Sequence, residues 1–340
     1  MPGIGNWRVA ESALLVAPFI EGNKAGAWTN GDIAFIIHQR FVRVADWIQV
    51  LVHETDRKLY QQGEIATPRY ALERICRVGA GVEIEVGLTD WATVSSLQSR
   101  VFNSHRLHCP EGSEAPHGAW AISQEAILTT GRPDGFPHHI AVHPLVLCSD
   151  GFVVTCARSN VSHQPGRLSL SIEEQMQPAH LSASVPVQSS PGLDVRRVNG
   201  DEGPISAVVR GVKEELGVSI SVDQVEVLGV ALERTSVAVN ILSLVRLEQT
   251  LAQVRVAWRS AEGRNENTLL GYNRSVALSD FENPGRWERR SGPHVNRWHS
   301  SSRLRLLLAL WRTRGVESVR PAFSEAEIAH VIDRSSRIFR

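Results

Sequence analysis

The chain has 340 residues, 42% of them hydrophobic and 21% charged, with 36 Lys and Arg against 36 Asp and Glu and so a formal net charge of zero. This excludes a disordered, collagenous or disulfide-stapled protein and is long enough for one large domain or two ordinary ones. It leaves no bulk field to hold nucleic acid or an anionic membrane, so any anion site must be local. Lysine occurs only at Lys24, Lys58 and Lys213, an arginine bias that a GC-rich bacterial genome produces. The cysteines Cys76, Cys109, Cys148 and Cys156 show no CxxC spacing, and neither a secretory leader nor a membrane span is read. The reducing cytoplasm is the expected compartment.

In chain order, Ser12–Phe19 reads as a strand. Between Val42 and Tyr60 the residues Val44, Trp47, Ile48, Leu51, Val52 and Leu59 recur at helical steps. Pro68 is placed to start a second helix through Leu72 and Ile75, and Gly79-Ala-Gly81 separates it from the alternating strand Val82–Val86. Turn residues gather between Cys109 and Gly118 and again at Gly131–Gly135. An N-terminal unit is therefore expected over residues 1–118, a linker over 119–136 and a second unit over 137–340.

The second unit has an α/β texture. His139–Leu147 and Phe152–Cys156 read as a hairpin about Ser149-Asp-Gly151, and residues 177 to 200 read as a long loop. Ile205–Leu216 is helical in pattern, Val225–Leu232 and Val237–Leu247 are strand candidates, and Trp298–Arg314 is an amphipathic closing helix. Arg297 at its start and Arg303, Arg305, Arg312 and Arg314 along it could form a nucleic-acid or partner surface, but a packed helix with these arginines in solvent is expected. His105, His108, Cys109 and His117 have metal-ligand residue types, yet their spacing fits no standard zinc pattern.

The informative segment runs from Glu202 to Val218. Glu202, Arg210, Val212, Glu214, Glu215, Gly217 and Val218 fall at the spacing of G-x5-E-x7-R-E-U-x-E-E-x-G-U, with U aliphatic, and so the segment resembles the Nudix box. Upstream, Cys156-Ala-Arg158-Ser159 and Gln164-Pro-Gly-Arg-Leu168 are similar to a family strand ending in R-S and the short loop after it. The resemblance covers roughly residues 137 to 280. On a helix, Arg210 and Glu214 share a face, so the guanidinium screens carboxylates that would repel. A carboxylate cluster beside a diphosphate suits Mg²⁺ or Mn²⁺, which take oxygen ligands and keep waters. Gly217 is the expected C-cap.

Two residues depart from the family pattern. Arg196 stands where it opens with glycine, and Gly211 stands where the first Glu of R-E-U-x-E-E belongs. That glutamate binds metal or activates water in many family members, and glycine in a helix interior costs about 1 kcal/mol relative to alanine. Candidates for a replacement carboxylate are Glu173, Glu174 and Glu266.

The resemblance implies an α/β (α+β) fold, a Nudix-like mixed sheet between helices preceded by a smaller α/β accessory domain. It implies Mg²⁺-dependent hydrolysis of a nucleoside diphosphate linked to another moiety. Glu214, Glu215 and Glu174 would hold the metal, with Arg210 and Glu202 ordering the box. The alternative that Gly211 raises is a catalytically silent Nudix-like module that binds a nucleotide or nucleotide sugar. Either reading expects a small-molecule nucleotide partner, no nucleic acid and no membrane, and is compatible with a homo-oligomer.

Overall fold

The computed structural model describes residues 12–46, 48–49, 52, 68–103, 119–158, 168–178, 195–197, 203–233, 238–264, 267–269, 276–282 and 298–336. The fold is α+β, with helices on both faces of one large mixed sheet. Glu202, Glu266, the His105–His117 group and nearly all of the 177 to 200 loop lie outside the described residues. Of the expected Val42–Tyr60 helix, Val42, Arg43, Val44 and Ala45 are described and are not helical, whereas Asp46, Ile48, Gln49 and Val52 are described and helical.

The sheet comprises β1 (Ser12–Val16), β2 (Ile33–Phe41), β3 (Pro68–Val78), β4 (Gly81–Asp90), β5 (His139–Leu147), β6 (Phe152–Val153), β9 (Glu174–Gln175), β10 (Val195–Arg197), β11 (Val225–Glu233), β12 (Ala238–Arg246) and β14 (Val276–Ala277). Its main order is β1-β11-β12-β5-β3-β4-β2-β10, with β5 also pairing β6 and β9. β7 (Cys156–Arg158), β8 (Leu168–Ser169) and β13 (Asn267–Leu269) form a separate small sheet. The helices are α1 (Trp91–Asn103), α2 (Ala119–Thr130), α3 (Pro204–Leu216), α4 (Leu251–Trp258), α5 (Ser302–Arg314), α6 (Val316–Val319) and α7 (Glu325–Ser336).

Alternation along the central strands divides the core. Val142, Val146, Val239, Ile241 and Val245 pack with Val208, Val212 and Leu216 of α3, while Leu145, Leu242 and Leu244 pack with Leu304, Leu307, Leu308 and Trp311 of α5. Pro144 is tolerated in central β5 because of its register. The neighbouring even-numbered groups face away from β12: Ile140 accepts from Met176 N, and the Val146 amide is taken by Ser171 Oγ at 2.8 Å.

Three expectations are corrected. Pro68–Val78 is a strand, and its helix-like spacing comes from a β-bulge. The register of β3 against β4 shifts between Leu72 and Arg74, so Leu72 and Ile75 both face the core although three residues apart. Residues 119–136, read as a linker, carry α2, whose Ile127 and Leu128 are core residues. One sheet runs through both flanks of that stretch, since β1 pairs β11 and β3 meets β5 at Ala71 and His139.

The third concerns the closing helix. It begins at Ser302 and is buried on all sides from Leu304 to Trp311, with Arg305 fully inside. Among the described residues no helix is long and apolar enough to cross a membrane.

Candidate active site

α3 forms where the hydrophobic stripe predicts. Pro204 occupies its first turn, where a missing amide hydrogen costs nothing, and Gly217 ends it in the left-handed region at φ 70° with its amide on Lys213 O. The inner stripe Val208, Val212 and Leu216 is buried, which leaves Arg210, Lys213 and Glu214 on the outer edge.

β9 lies along that edge. Its chain arrives through Ser171, a non-glycine residue at φ 79° whose hydroxyl donates to Val154 O at 2.9 Å and accepts from the Val146 amide. Beyond this turn the extended backbone sends Glu173 and Glu174 to opposite faces of the sheet.

Glu174 meets the box helix. A Cβ built on Gly211 would lie 3.1 Å from Ile172 Cδ1 and 3.4 and 3.6 Å from Glu174 Cβ and Cγ. The helix is thus bare at the one place where the Glu174 stem crosses it. Arg210 Nη2 donates to Glu174 Oε1 at 3.2 Å, and its Nε lies 4.0 Å from Glu214 Oε1. One guanidinium therefore stands between two carboxylates from different elements.

Glu215 turns inward. It is 4% exposed, its stem abuts Gly263, and its carboxylate adds to the effect of burial in pushing the Cys156 thiol up. Glu214 is half-exposed by contrast, with its carbonyl accepting from Gly263 N at 2.8 Å. Outside α3 lies an open groove of about 720 Å³ whose lining includes Arg210, Lys213, Glu214, Ser219, Val222 and Ser260.

Of the sequence-predicted site residues, Arg210, Glu214 and Glu174 come together, Glu215 sits beneath them, and Glu202 is outside the described residues. Glu174, Glu214 and Glu215 offer only oxygen donors, the chemistry of a hard divalent ion. They are not among the groups of described residues whose ligand atoms converge within 4.8 Å, which are His143, Glu173 and His299, and His38, Glu73 and Glu85.

Sequence reasoning missed what stands behind β9. Glu173 is buried against α5, where Arg305 Nη2 donates to its Oε1 at 2.9 Å, Ser169 Oγ donates at 2.7 Å, and Arg158 pairs with Oε2. Arg305 Nη1 also donates to the carbonyls of Pro144 and Leu170 at 3.1 and 2.9 Å. Burial alone would raise the Glu173 carboxyl, but Arg158, His299, His143 and Arg305 hold it well below the usual carboxylate range.

His299 lies 3.1 Å from Glu173 and is lowered to about 4 by burial. His143, 2.8 Å from Ser301 Oγ, is lowered by burial too. The only signal in the sequence was Arg305 itself, a charge interrupting an apolar tract. No family model matches the chain, and no curated protein matches it.

Proposed function

We propose that the chain is a Nudix-like pyrophosphohydrolase that cleaves a nucleoside diphosphate linked to another moiety, using Mg²⁺ or Mn²⁺ at the edge formed by Glu174, Glu214 and Glu215. The observation that carries this reading is Glu174 crossing Gly211. The box lacks a carboxylate at 211, and the stem of Glu174 on β9 crosses that place on the helix, with its carboxylate beside Arg210. The second departure, Arg196, lies on β10, and nothing among the described residues compensates for it.

The carboxylates alone do not close around an ion, and Mg²⁺ does not require them to. It keeps several waters and is held by one or two carboxylates plus substrate phosphates. The ion would neutralise phosphoryl charge and lower the pKa of a bound water. The chain's own contribution is to hold the acidic groups apart with Arg210 and to present Arg210 and Lys213 to phosphate along the groove. The three described cysteines are free and buried, which accords with the cytoplasm. A small nucleotide is the expected partner.

A nucleotide-binding module without hydrolysis is the second reading, favoured by the Arg210–Glu174 ion pair, which already neutralises the replacement carboxylate. The test is incubation with Mg²⁺ or Mn²⁺ and a panel of nucleotide sugars, dinucleoside polyphosphates and NAD-like compounds. Diphosphate cleavage that drops at least 100-fold in Glu174→Gln and Glu214→Gln is expected. An inactive protein whose Gly211→Glu variant gains hydrolysis overturns the proposal in favour of the second reading.

A further inference from the structure

The face of the sheet opposite the α3 core carries a second constellation, far along the chain from the box. β4 pairs with β2 on one side and β3 on the other, and both neighbours lose register at the same level. β2 does so between Ile37 and Phe41, β3 between Leu72 and Arg74. Bulges re-aim side chains, and here they bring His38 and Glu73 toward Glu85 of β4. His38 Nε2 lies 3.3 Å from Glu85 Oε2 and 3.7 Å from Glu73 Oε2.

Gly87 makes the room. A Cβ there would fall 2.7 Å from Glu73 Oε1, 2.8 Å from Val42 Cγ1 and 3.0 Å from Arg40 O, so only glycine lets the Glu73 carboxylate lie across the strand. One atom from each of His38, Glu73 and Glu85 lies within 4.8 Å of the others. Their side chains are 18, 15 and 19% exposed, half-withdrawn from water yet open to it.

The charge balance leaves room for a cation. Glu73, Glu83 and Glu85 face Arg40 and Arg74, which pair with Glu73 at 2.8 Å and with Glu85 at 2.6 Å. Arg40 is 62% exposed and can leave Glu73 for solvent at little cost. Burial disfavours the charged form of Glu85, but hydrogen bonds from Arg74 and His38 outweigh it and lower its pKa.

We propose that His38, Glu73 and Glu85 form a binding site for a borderline divalent cation, Zn²⁺ in the first instance. Imidazole nitrogen and carboxylate oxygen are ligand types that zinc accepts, and three protein ligands leave the fourth tetrahedral position to water or a ligand. Three strands of one sheet supply them, so the geometry is held without any loop. The site does not depend on the hydrolase reading.

Zn²⁺ competition against a chromophoric chelator tests it on the full-length protein, with circular dichroism to confirm folding. Wild type and Glu174→Gln should both bind Zn²⁺ at one equivalent, whereas His38→Ala and Glu85→Gln should each bind at least 10-fold more weakly. The proposal is overturned if wild type takes up no stoichiometric Zn²⁺, or if His38→Ala and Glu85→Gln titrate like wild type. Weakening in Glu174→Gln alone would assign the ion to the α3 edge and equally overturn it.

Discussion

Glu174 lies directly over Gly211, its Cβ and Cγ 3.4 and 3.6 Å from where a side chain at that helix position would begin. A residue on β9 thereby occupies the space that α3 leaves bare, and each explains the other. A longer side chain at 211 would displace Glu174, and a strand that did not reach the helix would leave the glycine unexplained.

Gly211→Ala should be nearly neutral, within about 1 kcal/mol, because the gain in helix propensity offsets the tight contact with the movable Ile172 Cδ1. Gly211→Glu should keep the fold, lose about 1–3 kcal/mol through overpacking and repulsion from Glu174, and lower Mg²⁺-dependent hydrolysis. Urea denaturation beside turnover checks both. A Gly211→Glu protein as stable as wild type would show that the contact with Glu174 does not exist in solution.

Arg210→Ala should separate stability from activity. The guanidinium is partly exposed, so its pairs with Glu174 and Glu214 contribute no more than about 1 kcal/mol to folding. Removing it lets two carboxylates repel and takes a phosphate donor from the groove. A drop in kcat of at least 10-fold with a thermal midpoint almost unchanged is expected, and unchanged kinetics would remove Arg210 from the site.

Arg305→Met should be among the most damaging single changes in the protein. It leaves Glu173 buried with Arg158 as its remaining arginine and strips donors from the Pro144 and Leu170 carbonyls, at a cost of about 3–5 kcal/mol. Adding Glu173→Gln should recover part of that loss. Denaturation midpoints of the single and double variants decide it, and strict additivity would mean that the two side chains are uncoupled.

Stability should fall as the solution is acidified from pH 7 toward pH 4. His299 and His138 are held neutral by burial, at about 4 and about 3 against an ordinary 6.5. Between those values the unfolded chain binds protons that the folded chain does not, so each histidine costs about 1.4 kcal/mol per pH unit on the acid side of 6.5. Glu173 acts in the same sense: its folded value is depressed, so its contribution is present above its unfolded value of 4.5 and is lost as the pH falls below it. A urea midpoint that stays flat from pH 7 to pH 5 would contradict neutral, buried histidines.

Periodicity alone determined much of the central architecture. The stripe of Val208, Val212 and Leu216, the Gly217 cap, the strands at 139–147, 225–233 and 238–246 and the turn at Gly151 are local consequences of side-chain spacing and backbone freedom, and they form where the residues say. The spacing of Arg210, Glu214 and Glu215 was equally legible, because helix geometry alone brings i and i+4 together.

What the sequence could not decide depends on register between segments far apart in the chain. Leu72 and Ile75 mimic a helix because a bulge, defined only by pairing with β4, turns both inward. Arg305 looks like a solvated helix arginine because nothing local reveals that the carbonyls of Pro144 and Leu170 and the Glu173 carboxylate converge on it. Glu174 was one of three candidate carboxylates. The sequence reading named it for the metal, but its place against the helix is set by Ser171 turning the chain and by the pairing of Glu174 with Val142. Burial and long-range hydrogen bonding assign one residue among chemically equal ones, and neither is a property of a local stretch of sequence.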